Sequence, residues 1–273
     1  MGVKVGVLPA CFCGTCAMCQ SGNPQLCQNF ECLGNTHDGG YAQFTIAKSD
    51  QLIPLNEISE YDAVWLEPLA CVIQALNQVG GKKIDGPVLI IGAGTLGMLM
   101  LETILSMTPA KVAVVDPNQP KIENALSRGA QMGWGVPRQG PAPEVTASLH
   151  RWLPQGIPIV IDTTGVPEAI QRGIEWASPR GKVLLFGVSD PTSQLCVSPH
   201  QVFSKELTIL ASSGMTPASF EAAVVLLREK RIQPSTLNAG VIILQGLPAY
   251  LLGEKSYPFG IGLISPWSTD TGK

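Results

Sequence analysis

Charge is scarce in this sequence. Asp, Glu, Lys and Arg make up only 14% of its 273 residues, and the formal net charge is −3. With no basic run, the chain lacks the electrostatic footprint of a nucleic-acid binder. With no acidic tail, it lacks the mark of a solvating segment. Long apolar runs are missing too. The longest candidate, Val88 to Leu101, is broken by glycines, so no membrane-spanning helix is expected. The start, MGVKVGVLPACFC, has no charged stretch followed by a long apolar one. It does not read as a secretory signal, and a cytoplasmic chain is the default expectation. Internal repeats and low-complexity linkers are absent. Histidine is limited to His37, His150 and His200, which leaves few imidazoles for metal chemistry.

What the chain has in quantity is apolar residues and cysteine. Hydrophobic content is 45%, ordinary for a globular enzyme with buried strands, and the length allows two domains. Six of the eight cysteines lie from Cys11 to Cys32. In a chain without a secretory start, this crowding points to metal binding before disulfides. Cys13, Cys16, Cys19 and Cys27 follow a C-x2-C-x2-C-x7-C spacing. Four thiolates from one compact loop can close a tetrahedron around Zn²⁺, and a site closed by four sulfurs is structural rather than catalytic. A disulfide set, an iron site and a chance cluster are the alternatives. Cys11 and Cys32 fall outside the spacing and are expected to be buried small hydrophobes.

The stretch Pro87 to Asp116 organises the rest. A short apolar strand, Val88 to Ile91, leads into Gly92, Gly94 and Gly97 at G-x-G-x-x-G spacing. A helical run, Met98 to Ser106, and a second strand, Val112 to Val115, follow and end at Asp116. Gly92 permits the tight turn, Gly94 lets a pyrophosphate approach the backbone, and Gly97 allows close helix–strand packing. Thr95 and Leu96 open the helix, whose free N–H groups and positive dipole end suit phosphate. Asp116 is placed to accept ribose hydroxyls, which favours NAD over NADP. A glycine-rich turn of some other α/β protein is the plainer alternative.

Elsewhere the pattern continues as strands and helices. Val3 to Leu8 reads as a strand. Gly39-Gly40 is a turn, with His37 and Asp38 as a solvated pair before it, and Tyr41 to Ala47 alternates as a half-buried strand. Ser59 is a helix N-cap with Asp62 at the N3 position. Helices are expected at Gln119–Arg128, Glu144–Trp152, Pro167–Ala177 and Ala218–Lys230. Strands are expected at Pro158–Asp162, Lys182–Phe186 and Leu207–Ala211. This alternation predicts a parallel, doubly wound sheet with ligands beyond the carboxyl ends of its strands. Gly92, Asp116, Thr163, Thr164, Gly187 and Val188 then share one edge. The region from Arg231 reads as mixed structure ending in a polar tail, STDTGK. Glu67 stands among Trp65, Leu66, Pro68, Leu69 and Ala70. A carboxylate there must be paired, neutral or ligating, and chemistry alone leaves a helix-surface Glu and a metal-site Glu equal.

Together these features resemble the zinc-containing medium-chain alcohol and polyol dehydrogenases of the sorbitol dehydrogenase-like kind, from Gly2 to about Ile264. The segments that carry the resemblance are CGTCAMCQSGNPQLC, HDGGYAQF, LEPLACVIQAL, DTTG, GKVLLFG and FSKELTI. The resemblance implies a Rossmann sheet, at residues 61–214, for NAD. It also implies a partial GroES-like domain with a structural zinc lobe at 1–60, and a C-terminal segment, 215–273, returning to that domain. By the same resemblance Glu67 belongs to the catalytic zinc, Lys121 contacts the adenosine ribose, and Thr164, Gly187 and Val188 border the cofactor. The implied partners are a small-molecule alcohol or polyol and further copies of the chain, as a dimer or tetramer. The family's Cys and His-Glu zinc ligands lie upstream of the lobe, and no matching context occurs here. The expectation is therefore a chain lacking the first part of the catalytic domain, which binds NAD and turns over little alcohol. A catalytically silent NAD-binding or scaffold protein is the alternative reading, and an iron-containing redox protein is a third.

Overall fold

A computed structural model describes residues 2–255 and 261–266. The chain divides into two compact units, residues 1–71 with 214–273 and residues 72–213. The boundary falls inside one helix, between Cys71 and Val72.

The first unit opens with strands β1 (Val5–Val7) and β2 (Ala10–Cys11), then a one-turn helix, α1 (Ala17–Gln20). Strands β3 (Glu31–Cys32) and β4 (Leu52–Pro54) follow. β2 pairs antiparallel with β3, and β1 with β4. The cysteine-rich segment is thus a loop held at its base by a two-stranded stem. Helix α2 (Glu60–Ala63) begins at Ser59, whose hydroxyl accepts the Asp62 N–H at 3.1 Å and donates to Asp62 Oδ2 at 2.6 Å. The expected cap is formed. Helix α3 (Leu66–Val79) then carries the chain into the second unit.

That unit is built on apolar runs. β5 (Val88–Ile91) and β6 (Val112–Asp116) are buried at every residue, as strands covered on both faces must be. Between them runs α4 (Thr95–Met107), with Met98, Leu99, Met100, Leu101 and Ile104 all buried. Full burial of such side chains contributes about 1.5–3 kcal/mol each. The remaining elements are α5 (Gln119–Ser127), β7 (Met132–Gly135), α6 (Pro143–Trp152), β8 (Ile157–Asp162), α7 (Pro167–Trp176), β9 (Ala177–Leu185), α8 (Pro199–Lys205) and β10 (Thr208–Ala211). Six strands pair in the order β10-β9-β8-β5-β6-β7, all parallel. This is the expected doubly wound Rossmann sheet, with strand order reversing between β5 and β8. The crevice at that reversal lies beyond the carboxyl ends of the two strands. The chain returns to the first unit with α9 (Pro217–Arg228), β11 (Asn238–Ile243), α10 (Leu247–Leu251) and β12 (Ile261–Ser265). β11 and β12 pair in parallel. The expected polar tail STDTGK lies outside the described residues.

Three sequence expectations are corrected. Tyr41 to Ala47 forms no strand; Phe44 and Ile46 are 81% and 91% exposed, and no neighbouring strand pairs with the segment among the described residues. The first strand is three residues long rather than six. Cys11 and Cys32 are half-buried rather than buried. Among the strands the sequence reading missed are β2 and β3, which flank the cysteine-rich loop, and β7, whose MGWG sequence carries two glycines and sits at the sheet edge.

Candidate functional site

The first unit holds the thiols. The ligand atoms of Cys13, Cys16, Cys19 and Cys27 all lie within 4.8 Å of one another, and among the described residues they form the one group of three or more such ligands. Cys13 Sγ to Cys19 Sγ is 4.0 Å, as is Cys16 Sγ to Cys27 Sγ. Tetrahedral zinc with Zn–S near 2.3 Å requires sulfurs about 3.8 Å apart, so the set fits the ion. Backbone N–H groups point at the sulfurs: Cys16 N–H to Cys13 Sγ, and Cys13 and Asn29 N–H to Cys27 Sγ, each at 3.3 Å. These donors favour the charged thiolate that a metal needs. The Thr15 hydroxyl and nearby backbone amides hold the Cys13 thiol down to about 5, whereas desolvation pushes Cys19 up to about 12. Glycines at positive φ, Gly14 and Gly22, make the turns.

Glu67, in the first turn of α3, is half-buried. Burial pushes its carboxyl above the ordinary range, partly offset by the Cys71 thiol, which donates to Glu67 Oε1 at 3.3 Å. Glu67 and Cys71 are one helical turn apart and so share a face. No third ligand joins them closely enough to make a metal group among the described residues. Glu67 with Cys71 therefore does not fit a zinc ion as it stands. His37 and Asp38 are exposed and line a hollow of about 1390 Å³ with Tyr41 and Trp65.

The second unit brings the glycine-rich loop together with its neighbours. Gly92 has φ +103°, and a Cβ there would meet Thr163 Oγ1 at 2.6 Å. A Cβ on Gly97 would fall 2.0 Å from Gly92 O, so the helix start touches the strand end. Around Gly94 there is open space, with nothing within 4 Å of an added Cβ. Gly94 is the N-cap of α4 and no side chain caps it. The first N–H groups of this helix, at Thr95, Leu96 and Gly97, are thus left for a ligand. An open cradle beside free amides fits a pyrophosphate.

Asp116, 7% exposed, accepts the Ala93 N–H on Oδ2 and the Asn118 N–H on Oδ1, each at 2.8 Å. On the other side Thr163 Oγ1 donates toward Ile91 O and Gly92 O at 3.0 and 3.1 Å. Gly187 packs on the Thr164–Gly165 turn so closely that a Cβ would lie 2.1 Å from Gly165 N. Val188 is 94% exposed, and Lys121 is half-buried in the first turn of α5. Asp162 was missed by the sequence reading. It is fully buried at the end of β8 and accepts three bonds: from Thr164 N–H at 3.2 Å, Thr164 Oγ1 at 2.6 Å and Gly165 N–H at 2.8 Å. Desolvation raises its carboxyl while these donors pull it back down. Its signals were an acid ending a buried run and its place at the head of the DTTG segment.

Among the described residues no helix is long and apolar enough to cross a membrane. Residues 96–229 match the family described as zinc-binding dehydrogenase, and residues 1–57 match the alcohol dehydrogenase GroES-like domain. The chain is 27% identical to D-altritol 5-dehydrogenase of Agrobacterium fabrum, over 91% of this chain and 72% of that protein. It is 29% identical to D-arabinitol dehydrogenase 1 of Uromyces fabae, over 85% of this chain and 67% of that one. A zinc-binding dehydrogenase from Sinorhizobium meliloti 1021, solved bound to NADP, superposes with a TM-score of 0.85 at 23% identity. That match covers 97% of this chain and 77% of the other, and it shows the shared fold.

Proposed function

From the premise that this chain belongs to the zinc-containing medium-chain alcohol dehydrogenase superfamily, we propose that it moves hydride between NAD and a secondary hydroxyl of a polyol or sugar-type substrate. It is a zinc-dependent NAD oxidoreductase, and the observation that carries the reading is the open phosphate cradle at Gly94 in a chain that also gathers four thiols. Polyol is favoured because two of the relatives are named as dehydrogenases of the polyols D-altritol and D-arabinitol, and because Glu67 stands in an EPLA segment.

Bound NAD would supply the hydride acceptor; the Lewis acidity that makes an alcohol a hydride donor would have to come from a catalytic zinc, which Glu67 and Cys71 alone do not hold. The chain's own residues bind and orient. Thr95, Leu96 and Gly97 direct amides at the pyrophosphate, and Gly92 and Gly94 keep the approach clear. Asp116 faces the ribose side, where its negative charge disfavours a 2′-phosphate. Lys121, Thr164, Gly187 and Val188 border the same cofactor. Cys13, Cys16, Cys19 and Cys27 hold a structural zinc. Homo-oligomers and a cytoplasmic location complete the proposal.

One observation favours a second reading, a catalytically silent NAD-binding protein: Glu67 is bonded to a thiol and, among the described residues, is not gathered with two further ligands. Zinc content separates the readings. Two zincs per chain support the dehydrogenase, and one supports the silent form. The direct test is NADH formation by the purified protein, with added zinc, on sorbitol, xylitol, threonine and simple secondary alcohols. Turnover of a polyol supports the first reading; NAD binding with little or no turnover, the outcome expected from the sequence for this chain, supports the second. Calorimetry with both cofactors is expected to show tighter binding of NAD. Equal or tighter NADP binding would sink the role given to Asp116 in discrimination.

A further inference from the structure

We infer that Asp116 is a positioning residue for the phosphate-binding loop: its carboxylate ties that loop to the turn after β6. It thereby sets dinucleotide affinity through the backbone as well as through the ribose. The inference rests on the NAD-binding reading above and deepens it.

The argument begins with where the sheet ladder stops. Gly92 N–H still bonds to Val115 O at 2.8 Å, the last backbone bond from the end of β5 toward β6. The next residue, Ala93, is 4% exposed, and its N–H has left the ladder. A buried amide without an acceptor costs about as much as a lost hydrogen bond. Asp116 Oδ2 supplies the acceptor at 2.8 Å. Its other oxygen takes the Asn118 N–H, also at 2.8 Å, at the N-cap of α5. One buried carboxylate therefore joins two loops at the carboxyl ends of neighbouring strands. Bonds to an ionised acceptor are short and strong. Ala93 lies between Gly92 and Gly94, so a shift of its amide moves the cradle itself. The glycines give this loop freedom, and the carboxylate removes it. Preorganised donors bind an anion without first being ordered.

Ribose contact and loop positioning predict different ligand dependences. The probes are NAD and its analogue lacking both hydroxyls of the adenosine ribose. If Asp116 positions the loop as well as meeting the ribose, Asp116→Ala weakens binding of the dideoxy analogue too, about tenfold, and weakens NAD by at least that factor. Asp116→Asn, of the same size but with one acceptor oxygen, falls between it and the unaltered protein and keeps the test open if the alanine variant folds poorly. If Asp116 acts only through ribose, the variants bind the dideoxy analogue as tightly as the unaltered protein does, and the inference is overturned. Amide hydrogen exchange on the cofactor-free protein gives a second readout. The Ala93 and Asn118 amides are expected to exchange faster in Asp116→Ala, while amides in the middle of β5 and β6 keep their protection. Unchanged exchange at Ala93 overturns the inference independently of any cofactor. Failure of the unaltered protein to bind NAD would instead defeat the functional reading, and the exchange result would still judge the tie.

Discussion

At the scale of single residues, two glycines three positions apart make opposite demands. Gly97 is required by the protein, because a Cβ there would lie 2.0 Å from the Gly92 carbonyl oxygen. Gly97→Ala is expected to force backbone movement and to cost about 1–3 kcal/mol of stability, visible as a lowered melting temperature without ligand. Gly94 is not required by the protein, because a Cβ there meets nothing within 4 Å and its φ of −73° suits any residue; in the proposed reading it is required by the ligand. Gly94→Ala is therefore expected to melt as the unaltered protein does yet to bind NAD at least roughly tenfold more weakly, because the methyl occupies the pyrophosphate's approach. A Gly94→Ala variant with unimpaired NAD binding would remove the cradle from the argument. These glycines were legible because spacing along the chain encodes their roles. Asp162 was not legible. Its three side-chain bonds are to the next residues, Thr164 and Gly165; what the sequence does not show is its full burial, which comes from β8 lying between β5 and β9.

Among elements, the long parallel strands and their helices were read nearly in full, since a buried strand needs a continuous apolar run and these runs are unmistakable. The errors fall where pairing decides. Tyr41 to Ala47 alternates as a half-buried strand would, but alternation describes a face to be covered, not a partner to bond with. β7 shows the converse: an edge strand needs only one partner, and β6 supplies it despite the two glycines. The four-Cys lobe was legible from spacing because the ion, not a hydrophobic core, is what its geometry serves. None of its four-residue helix, α1, is buried, so the lobe has little apolar packing of its own to hold it. Cys19→Ser is accordingly expected to lower zinc to below one per lobe and to reduce thermal stability. Cys11→Ser, outside the cluster, should leave both unchanged. Metal stoichiometry that survives Cys19→Ser would refute the four-thiolate assignment.

For the molecule as a whole, the two kinds of site fall in different units, and this gives the chain two separate handles on stability. The thiol cluster belongs to residues 1–71, and the glycine-rich loop to residues 72–213. The second unit has its own core, in which Leu89, Ala113, Val115, Ile157, Val160 and Val183 of neighbouring strands pack with Ile170 and Ile174 of α7. A unit with an independent core can unfold as its own cooperative step. Anything that binds the folded form alone stabilises the unit that holds it, by about 2.7 kcal/mol at a hundred times the dissociation constant. Zinc removal acts in the opposite direction on the unit that loses it. Scanning calorimetry is therefore expected to show two transitions. A chelator should lower one of them, and NAD should raise the other. Limited proteolysis during the scan identifies which residues open in each. The helix α3 runs across the boundary at Cys71 and Val72, so the transition that the chelator lowers should fray its N-terminal turn, with Glu67, while Ile73 to Val79 stay protected. A single transition shifted equally by chelator and by NAD would mean that the units unfold as one cooperative step, and the expectation of two handles would fail.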